Sequence, residues 1–297
     1  MEKFGFIVLH YKLIEITKRC VDSIIKSCKA NIEIVIVDNA SRDGSGEVLK
    51  KIFSDYKFVK VIVLHESTGF SYGNNIGYKF LKENKNCKFI IACNNDLIFE
   101  QNDLLTVIER IYKNEMFDVL GPDIRNIGGG HQSPLMLRGR SSEQIINYIN
   151  YCKNVIKRAK YIALKKKISK KLRLVYSIYK KIVTPKSNID YLRDYNDPVL
   201  CGACMIFSEK YISSHENLLS PEVPFYHEEE ILWYELKKRN GKIIYRPELY
   251  VVHDHSKATN AINISELEHT VFEMSNAIKS GEVLYKIVKD YERTHRK

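Results

Sequence analysis

Four times in its first hundred residues the chain repeats one pattern: a short, mostly apolar run, a polar break, then a segment with apolar residues at helical spacing. The runs are residues 4–9, 32–37, 58–64 and 88–93. Leu13, Ile16, Cys20, Ile24 and Cys28 follow the first at intervals of three and four, a Ser, Asp and Gly loop after the second opens a helix from about Ser45, and the third leads into a helix over 70–81. Strands alternating with helices in this way predict a parallel sheet covered on both faces, an α/β architecture of nucleotide-binding type. In an open parallel sheet ligands collect beyond the carboxyl ends of the strands. The stretch 88–100, KFIIACNNDLIFE, breaks there into Asn94, Asn95 and Asp96, and Asp96 is the centre of the expected site.

Further on, the pattern predicts a helix near 103–114, a short strand 118–120 and the loop GPDIRNIGGGHQSP. The glycines at 128–130 come too late, and too far from a strand, for a dinucleotide fingerprint, and read as a mobile turn. An apolar strand over 199–207, VLCGACMIF, carries Gly202 and Ala203, which suggest backbone close to something bound. The acids at 228–230 open a helix that runs to about Arg239 and is closed by Asn240 and Gly241. Two short strands follow, the second of which (250–252) delivers His253 and His255, and 265–290 reads as one or two covering helices. The chain divides into 1–140, 141–186, 187–260 and 261–297.

With 297 residues and 44% hydrophobic content, disordered and fibrous classes are excluded. The net charge of +11 is concentrated: residues 141–186 hold thirteen Lys and Arg against the single acid Glu143, while the remainder carries 34 bases and 35 acids. Apolar positions 145, 149, 152, 156 and 159, then 164, 168, 172, 175, 179 and 182, make this segment one or two amphipathic helices with a cationic face. Such helices bind anionic membrane surfaces, or pack on their own domain with the charges in water. Nucleic acid is not expected as a partner, since no recognised motif accompanies the basic residues. Seven scattered cysteines form no disulfide framework, and CGAC at 201–204 has no second pair to complete a zinc tetrahedron. No apolar run reaches the length of a signal-peptide core or a membrane span, so the expected location is cytoplasmic, peripheral on the inner face of the cell membrane if the basic segment docks there.

With these pieces located, the sequence resembles the family 2 glycosyltransferases, inverting enzymes of the GT-A fold, in order over most of residues 4–256. VDNASRDGS resembles the family's strand-two motif, STGFSYGNNIGY its following loop and helix, and CNNDLIF its metal motif. CGACMIF resembles its Gly-Ala strand, and FYHEEEILWYELKKRNGKIIYRPELYVVHDHS its acidic helix with a trailing histidine. The resemblance implies a GT-A fold, that is a Rossmann-like, mostly parallel sheet with helices on both faces, here with a basic helical insertion. It implies hexosyl or deoxyhexosyl transfer, with inversion, from a nucleotide-sugar donor to a hydroxyl of a cell-surface glycan, a class of acceptor that is often lipid-linked.

The resemblance also assigns roles. Asp96 and His253 match ligands of a divalent metal, Mn2+ or Mg2+, that neutralises the departing diphosphate. Asn94 stands where the family usually places an acid, which leaves fewer protein charges on that cation. Glu229 matches the general base that takes the proton of the attacking hydroxyl, with Glu228 beside it. Asp38 matches the residue that holds the donor's base or ribose, with Asn39 assisting. Thr68, Gly69 and Asn75 match the loop over the nucleotide, and Asn94 and Asn95 complete the donor-binding set with Asp96. His255 is a minor candidate. Glu235 occupies a position usually held by Arg, whose charge Lys237, Lys238 or Arg239 could supply.

Each assignment has a plainer counterpart, since strand-end Asp and Asn cap turns and first-turn acids stabilise a helix through its dipole. A nucleotidyltransferase on a similar fold and a catalytically inactive glycosyltransferase-like scaffold both remain open, the second argued by Asn94 and Glu235.

Overall fold

The computed structural model describes residues 2–28, 31–66, 69–164, 189–254 and 266–295. Strand and helix alternate as β1 (Phe4–His10), α1 (Ile14–Ser27), β2 (Ile32–Asp38), α2 (Ser45–Ile52), β3 (Val59–Val63), α3 (Phe70–Lys85) and β4 (Phe89–Asn94). β1 lies between β2 and β4, β3 is outside β2, and all four are parallel. Successive side chains enter opposite layers of the core. Phe6 and Val8 of β1 join one cluster and Ile7 the other, just as Ile34 and Ile36 of β2 part from Val35 and Val37. Burial on both faces is why these strands read as runs and not as alternations.

The chain continues through β5 (Leu97–Ile98), α4 (Leu104–Glu115), β6 (Val119–Asn126), α5 (Ser142–Leu164), β7 (Tyr195–Asn196), β8 (Cys204–Ser208), α6 (Glu209–Ser214), α7 (Glu228–Lys238), β9 (Ile243–His253) and α8 (Glu266–Thr294). Among the described strands the order is β3-β2-β1-β4-β8-β6-β9-β5, with β7 paired to β9. β8 is antiparallel to β4 and β6, and β9 is parallel to β6, so β1 to β4, β6 and β9 point their carboxyl ends the same way. Leu97 pairs with His253, which brings the far end of the chain back to the break after β4.

Several sequence expectations change in detail. The strand expected over 199–207 begins only at Cys204. Residues 201–203 turn because the Cys204 N–H reaches back to Cys201 O at 3.4 Å and the Gly202 N–H is drawn to a carboxylate instead of a neighbouring strand, while Ala203 O still accepts the Asn94 N–H of β4 at 2.9 Å. The two short strands expected after α7 are one strand, β9, and the strand expected at 118–120 continues to Asn126. Gly121 pairs with Tyr245 but Asp123 with Tyr250, so β9 bulges where the two meet. Pro122 and Pro247, neither of which has an N–H to offer a ladder, fall in that unpaired stretch.

The described start of the basic segment takes one of its two expected forms, a helix packed on its own domain. α5 packs along α8, and Ile145 and Ile149 are buried in one cluster with Leu284 and Val288. Cys152 is buried on the same helix. A methyl group at Gly281 would stand 3.1 Å from Ile149 Cγ1, which shows how closely the two helices approach. The chain itself covers this apolar face, so a bilayer has no access to it. The apolar positions from 168 onward lie outside the described residues. No described helix is long and apolar enough to cross a membrane.

Candidate active site

The carboxyl ends of β1, β2 and β4 stand side by side, His10 in register with Asp38 and Leu9 with Asn94. Asp38 is buried, and its Oδ1 accepts from both the N–H and the hydroxyl of Ser41, which closes the turn after β2. Asn39 donates through Nδ2 to Gly69 O at 3.2 Å, while its Oδ1 is buried with no hydrogen-bond partner among the described residues. Gly69 has φ +106°, and a Cβ there would lie 2.2 Å from Pro224 O, so only glycine fits where the start of α3 meets the 224 loop. His10 is fully buried, with Nδ1 2.6 Å from Thr17 Oγ1 and Nε2 2.9 Å from Ser45 Oγ. Burial lowers its pKa despite Asp38 and Asp43 nearby. Asn95 donates to the same Thr17 hydroxyl at 2.8 Å, which ties the break after β4 to this buried network.

Asp96 and His253 are in direct contact, with His253 Nε2 2.9 Å from Asp96 Oδ1 and both residues buried. The other ring nitrogen, Nδ1, lies 2.6 Å from Gln132 Oε1. A carbonyl oxygen at that distance accepts the Nδ1 hydrogen, so Nε2 either donates to the Asp96 carboxylate in the protonated ring or, in the neutral ring, turns its lone pair to the same point as Asp96 Oδ1. Carboxylate oxygen and imidazole nitrogen, with the ring's tautomer set by a carbonyl behind it, suit a divalent cation. No group of three or more His, Cys, Asp or Glu converges among the described residues, so a cation here takes its remaining ligands from elsewhere. Asp254, the next residue, pairs with Arg19 and donates its N–H to Asp96 O at 3.0 Å.

The acidic turn reaches this centre through two backbone residues. Asn94 N–H is held by Ala203 O, and the neighbouring Gly202 N–H donates to Glu229 Oε1 at 3.1 Å. Burial raises the pKa of Glu229, with the charge of Glu230 adding to the shift and the Gly202 N–H opposing it. Glu228 is pushed well above the usual carboxylate range by burial and by Glu229, and its Oε2 is buried without a hydrogen-bond partner among the described residues. A carboxylate with a raised pKa, partly exposed and held by backbone N–H groups, is suited to accept a proton.

The Glycosyl transferase family 2 model matches residues 6–215. The chain belongs to that family. It is 31% identical over 110 residues to Glycosyltransferase GlyA of Streptococcus pneumoniae serotype 4, an alignment covering 37% of this chain and 15% of the relative. To Glycosyltransferase GlyG of the same organism it is 28% identical over 102 residues, covering 34% of this chain and 33% of the relative. The matched segments are thus a minor part of both curated relatives. Among solved structures, GalNAc-T7 with UDP, GalNAc and Mn2+ superposes with a TM-score of 0.56 at 16% identity, over 86% of this chain and 44% of that one. S. aureus TarS 1-349 superposes with 0.52 at 12% identity, over 99% and 72%. These likenesses establish the fold, which is GT-A.

Within this family 2 fold the expected site residues separate. Asp38, Asn39, Gly69, Asn94, Asn95, Asp96, His253, Glu228 and Glu229 gather around the strand ends and the 201–203 turn. Asn75 does not join them. Its Oδ1 accepts from the N–H groups of Leu218 and Leu219, and its Nδ2 donates to Leu219 O, so the side chain braces that loop. Thr68 and His255 lie outside the described residues. Lys237 and Lys238 pair with Asp197 and Asp290, and Arg239, with Lys238 behind it, is the nearer positive charge to Glu235. Burial pushes the Cys201 thiol up to about 12 and the Cys204 thiol higher still, so CGAC is an inert pair. Gln132 and Arg140 were not anticipated. Both act on partners about a hundred residues away, and no spacing in the sequence announces such contacts.

Proposed function

We propose that this protein transfers a hexosyl or deoxyhexosyl group, with inversion, from a nucleoside-diphosphate sugar to a hydroxyl of a cell-surface glycan acceptor. The observation that carries the reading is the joining of two unlike centres by two backbone residues. Asp96 and His253 meet on one side, and Glu229 stands on the other side of Gly202 and Ala203. In this reading the polar strand ends of β1, β2 and β4 hold the nucleotide, with Asp38 and Asn39 nearest its base and ribose. Asp96 Oδ1 and His253 Nε2 hold a divalent cation, which supplies positive charge for the leaving diphosphate. Mn2+ in the GalNAc-T7 structure supports this assignment. Glu229 accepts the proton of the attacking hydroxyl, and its raised pKa makes it a stronger base than an exposed carboxylate. The charge of Glu230 adds to that shift, while Glu228, close by and desolvated, is itself pushed up by burial and by Glu229.

A lipid-linked acceptor fits the concentration of basic residues in 141–186, which would draw the protein to an anionic bilayer. With the α5 face closed by α8, attraction would rest on charge, and cosedimentation with anionic vesicles that vanishes at high salt checks it.

The deciding experiment offers the full chain a panel of nucleoside-diphosphate sugars with Mn2+, and nucleoside triphosphates in parallel. Release of nucleoside diphosphate from at least one sugar nucleotide, lost in Glu229→Gln, is the expected result. Release of pyrophosphate from a triphosphate would mark a nucleotidyltransferase, and retention of nucleotide binding with no turnover of any sugar would mark a scaffold.

A further inference from the structure

The three acids that open α7 do not share one environment. Glu229 takes the Gly202 N–H, with Glu228 beside it, whereas Glu230 is held by Arg140. Arg140 stands two residues before α5 and makes an unusual number of contacts for one side chain. Its Nη2 and Nε donate to Glu230 Oε2 at 2.6 and 3.1 Å, and its own backbone N–H donates to Glu230 Oε1 at 2.6 Å. Nη2 also lies 3.0 Å from His227 Nδ1. The guanidinium sits 4.8 Å from the centre of the Tyr148 ring of α5, and Arg140 O accepts the Tyr234 hydroxyl of α7 at 2.7 Å.

His227, at the foot of α7, is suited to this arrangement. Burial and the Arg140 guanidinium lower its pKa to about 4, so the ring is neutral and its Nδ1 can accept. The ring also meets Tyr148 edge-on, with centroids 5.4 Å apart. Tyr226 and His227 both have φ near +65°, at 66° and 65°. Two consecutive non-glycine residues in the left-handed region persist only where their surroundings impose it. They lie immediately before the acids, so whatever fixes them also fixes the direction in which α7 starts.

We propose that Arg140 is a positioning residue for this site: by clamping Glu230 and His227 to the Tyr148 face of α5, it fixes the first turn of α7 so that Glu229 stands against the Gly202 N–H. The α5 and α8 pair then acts as a brace for the acidic turn. The catalytic consequence rests on Glu229 being the base, whereas the clamp does not. Charge adds a second effect. Glu229 is faced by Glu228 and Glu230 from its own helix and by Cys201 and the Gly202 N–H from the turn before β8, with Arg140 and the neutral His227 beyond Glu230. Without the guanidinium, Glu230 is an uncompensated anion next to Glu229, and the proton on Glu229 is held more tightly.

The test uses Arg140→Gln, Arg140→Lys and the double variant Arg140→Gln/Glu230→Gln in the full chain. Hydrogen–deuterium exchange needs no substrate. Arg140→Gln is expected to speed exchange in both 228–231 and 142–152 while β1 to β4 stay protected, and unchanged exchange at 228–231 overturns the clamp. With a sugar nucleotide that the wild type turns over, Arg140→Gln is expected to lose about 10- to 100-fold in kcat with donor KM changed less than about twofold. Its acid limb should move to higher pH. Arg140→Lys, which keeps the charge without the fork, should leave the limb in place and recover part of kcat. The double variant should return the limb while kcat stays low. An acid limb that stays in place in every variant, or a kcat of Arg140→Gln within about twofold of wild type, would reduce Arg140 to an ordinary structural contact. If Arg140→Gln fails to fold, the double variant, which does not leave Glu230 as an unpaired buried charge, carries the same comparison of exchange and kcat. Failure of the wild type to turn over any sugar nucleotide, with the exchange coupling present, strikes the enzymatic reading and leaves the clamp supported.

Discussion

Gly202→Ala moves the proposed base without changing its chemistry. A Cβ at this position would stand 2.7 Å from Glu229 Oε1, 3.2 Å from its Cδ and 3.3 Å from its Cγ. Ordinary contact starts at 3.4 Å, so the carboxylate oxygen must retreat by about 0.7 Å, the difference between 3.4 and 2.7. Gly202 is not among the residues with positive φ, so alanine meets no forbidden backbone region and the cost to folding stays within about 1 kcal/mol. Displacement of a reacting group by about 1 Å costs on the order of 100-fold in rate, equivalent to about 2.7 kcal/mol of activation free energy. The smaller retreat here is expected to lower kcat by about 10- to 100-fold. Donor KM should hold, because Asp38, Asn39 and Gly69 are untouched. Initial rates across donor concentrations, with thermal melts of both proteins, read the two quantities apart. The decisive comparison is the cycle with Glu229→Gln: once the base is gone, Gly202→Ala should cost almost nothing more. A folded Gly202→Ala protein with wild-type kcat, or additive losses in the double variant, refutes the placement of the base beside Gly202.

Gln132→Leu removes the oxygen that sets the His253 tautomer and is expected to weaken Mn2+ binding in the presence of a nucleoside diphosphate by about 10- to 100-fold, read by titration calorimetry. Asp96→Asn should weaken it at least as much, and nucleotide binding indifferent to chelator in the wild type would remove the cation from this site. Glu228→Gln tests burial through stability. The folded pKa of Glu228 lies above the unfolded value of about 4.5, so the native state binds that proton more tightly and stability falls as pH rises from 4.5 through the folded value. The variant escapes that loss, so it should be more stable than wild type by about 1–3 kcal/mol in denaturant at pH 8 and show no gain at pH 4, and equal differences at both pH values would contradict it.

The parallel half of the fold was legible because strands covered on both faces need apolar residues at nearly every position. The run expected at 32–37 became Ile32–Asp38 and the run at 88–93 became Phe89–Asn94, shifts of a single residue. β6 and β9 were harder to read, because Pro122 and Pro247 look like strand breakers when only one strand is considered. They are tolerated because they meet in the same bulge, a relation between residues more than a hundred positions apart. α5 showed its apolar stripe but not what covers it, since periodicity reports a face and not its partner. Asn75 matched a motif and turned out to brace Leu218 and Leu219, because a side-chain amide serves a backbone loop as readily as a ligand. Motif order placed Asp96, His253 and Glu229, while the groups that set their state, Gln132, Gly202 and Arg140, come from loops whose approach only the folded chain defines.

The connection between the two centres is backbone, and this bears on how substitutions near them combine. Asn94 N–H to Ala203 O and Gly202 N–H to Glu229 Oε1 are consecutive links, so the turn before β8 fastens the end of β4 to the first turn of α7. The first link joins backbone atoms only, so the side chain at 94 can change identity without breaking it. An amide at position 94, where the family usually has an acid, therefore alters charge while the geometry stays in place: Asn94 keeps its backbone bond, and its side chain makes no hydrogen bond among the described residues. The acid missing at 94 lowers the negative charge beside Asp96, and the guanidinium of Arg19 on Asp254 lowers it again. A centre with so little protein charge is a poor cation site by itself and a better one with a diphosphate present. On this chain, the departure at Asn94 argues for a cation that arrives with its nucleotide more than for a lost activity.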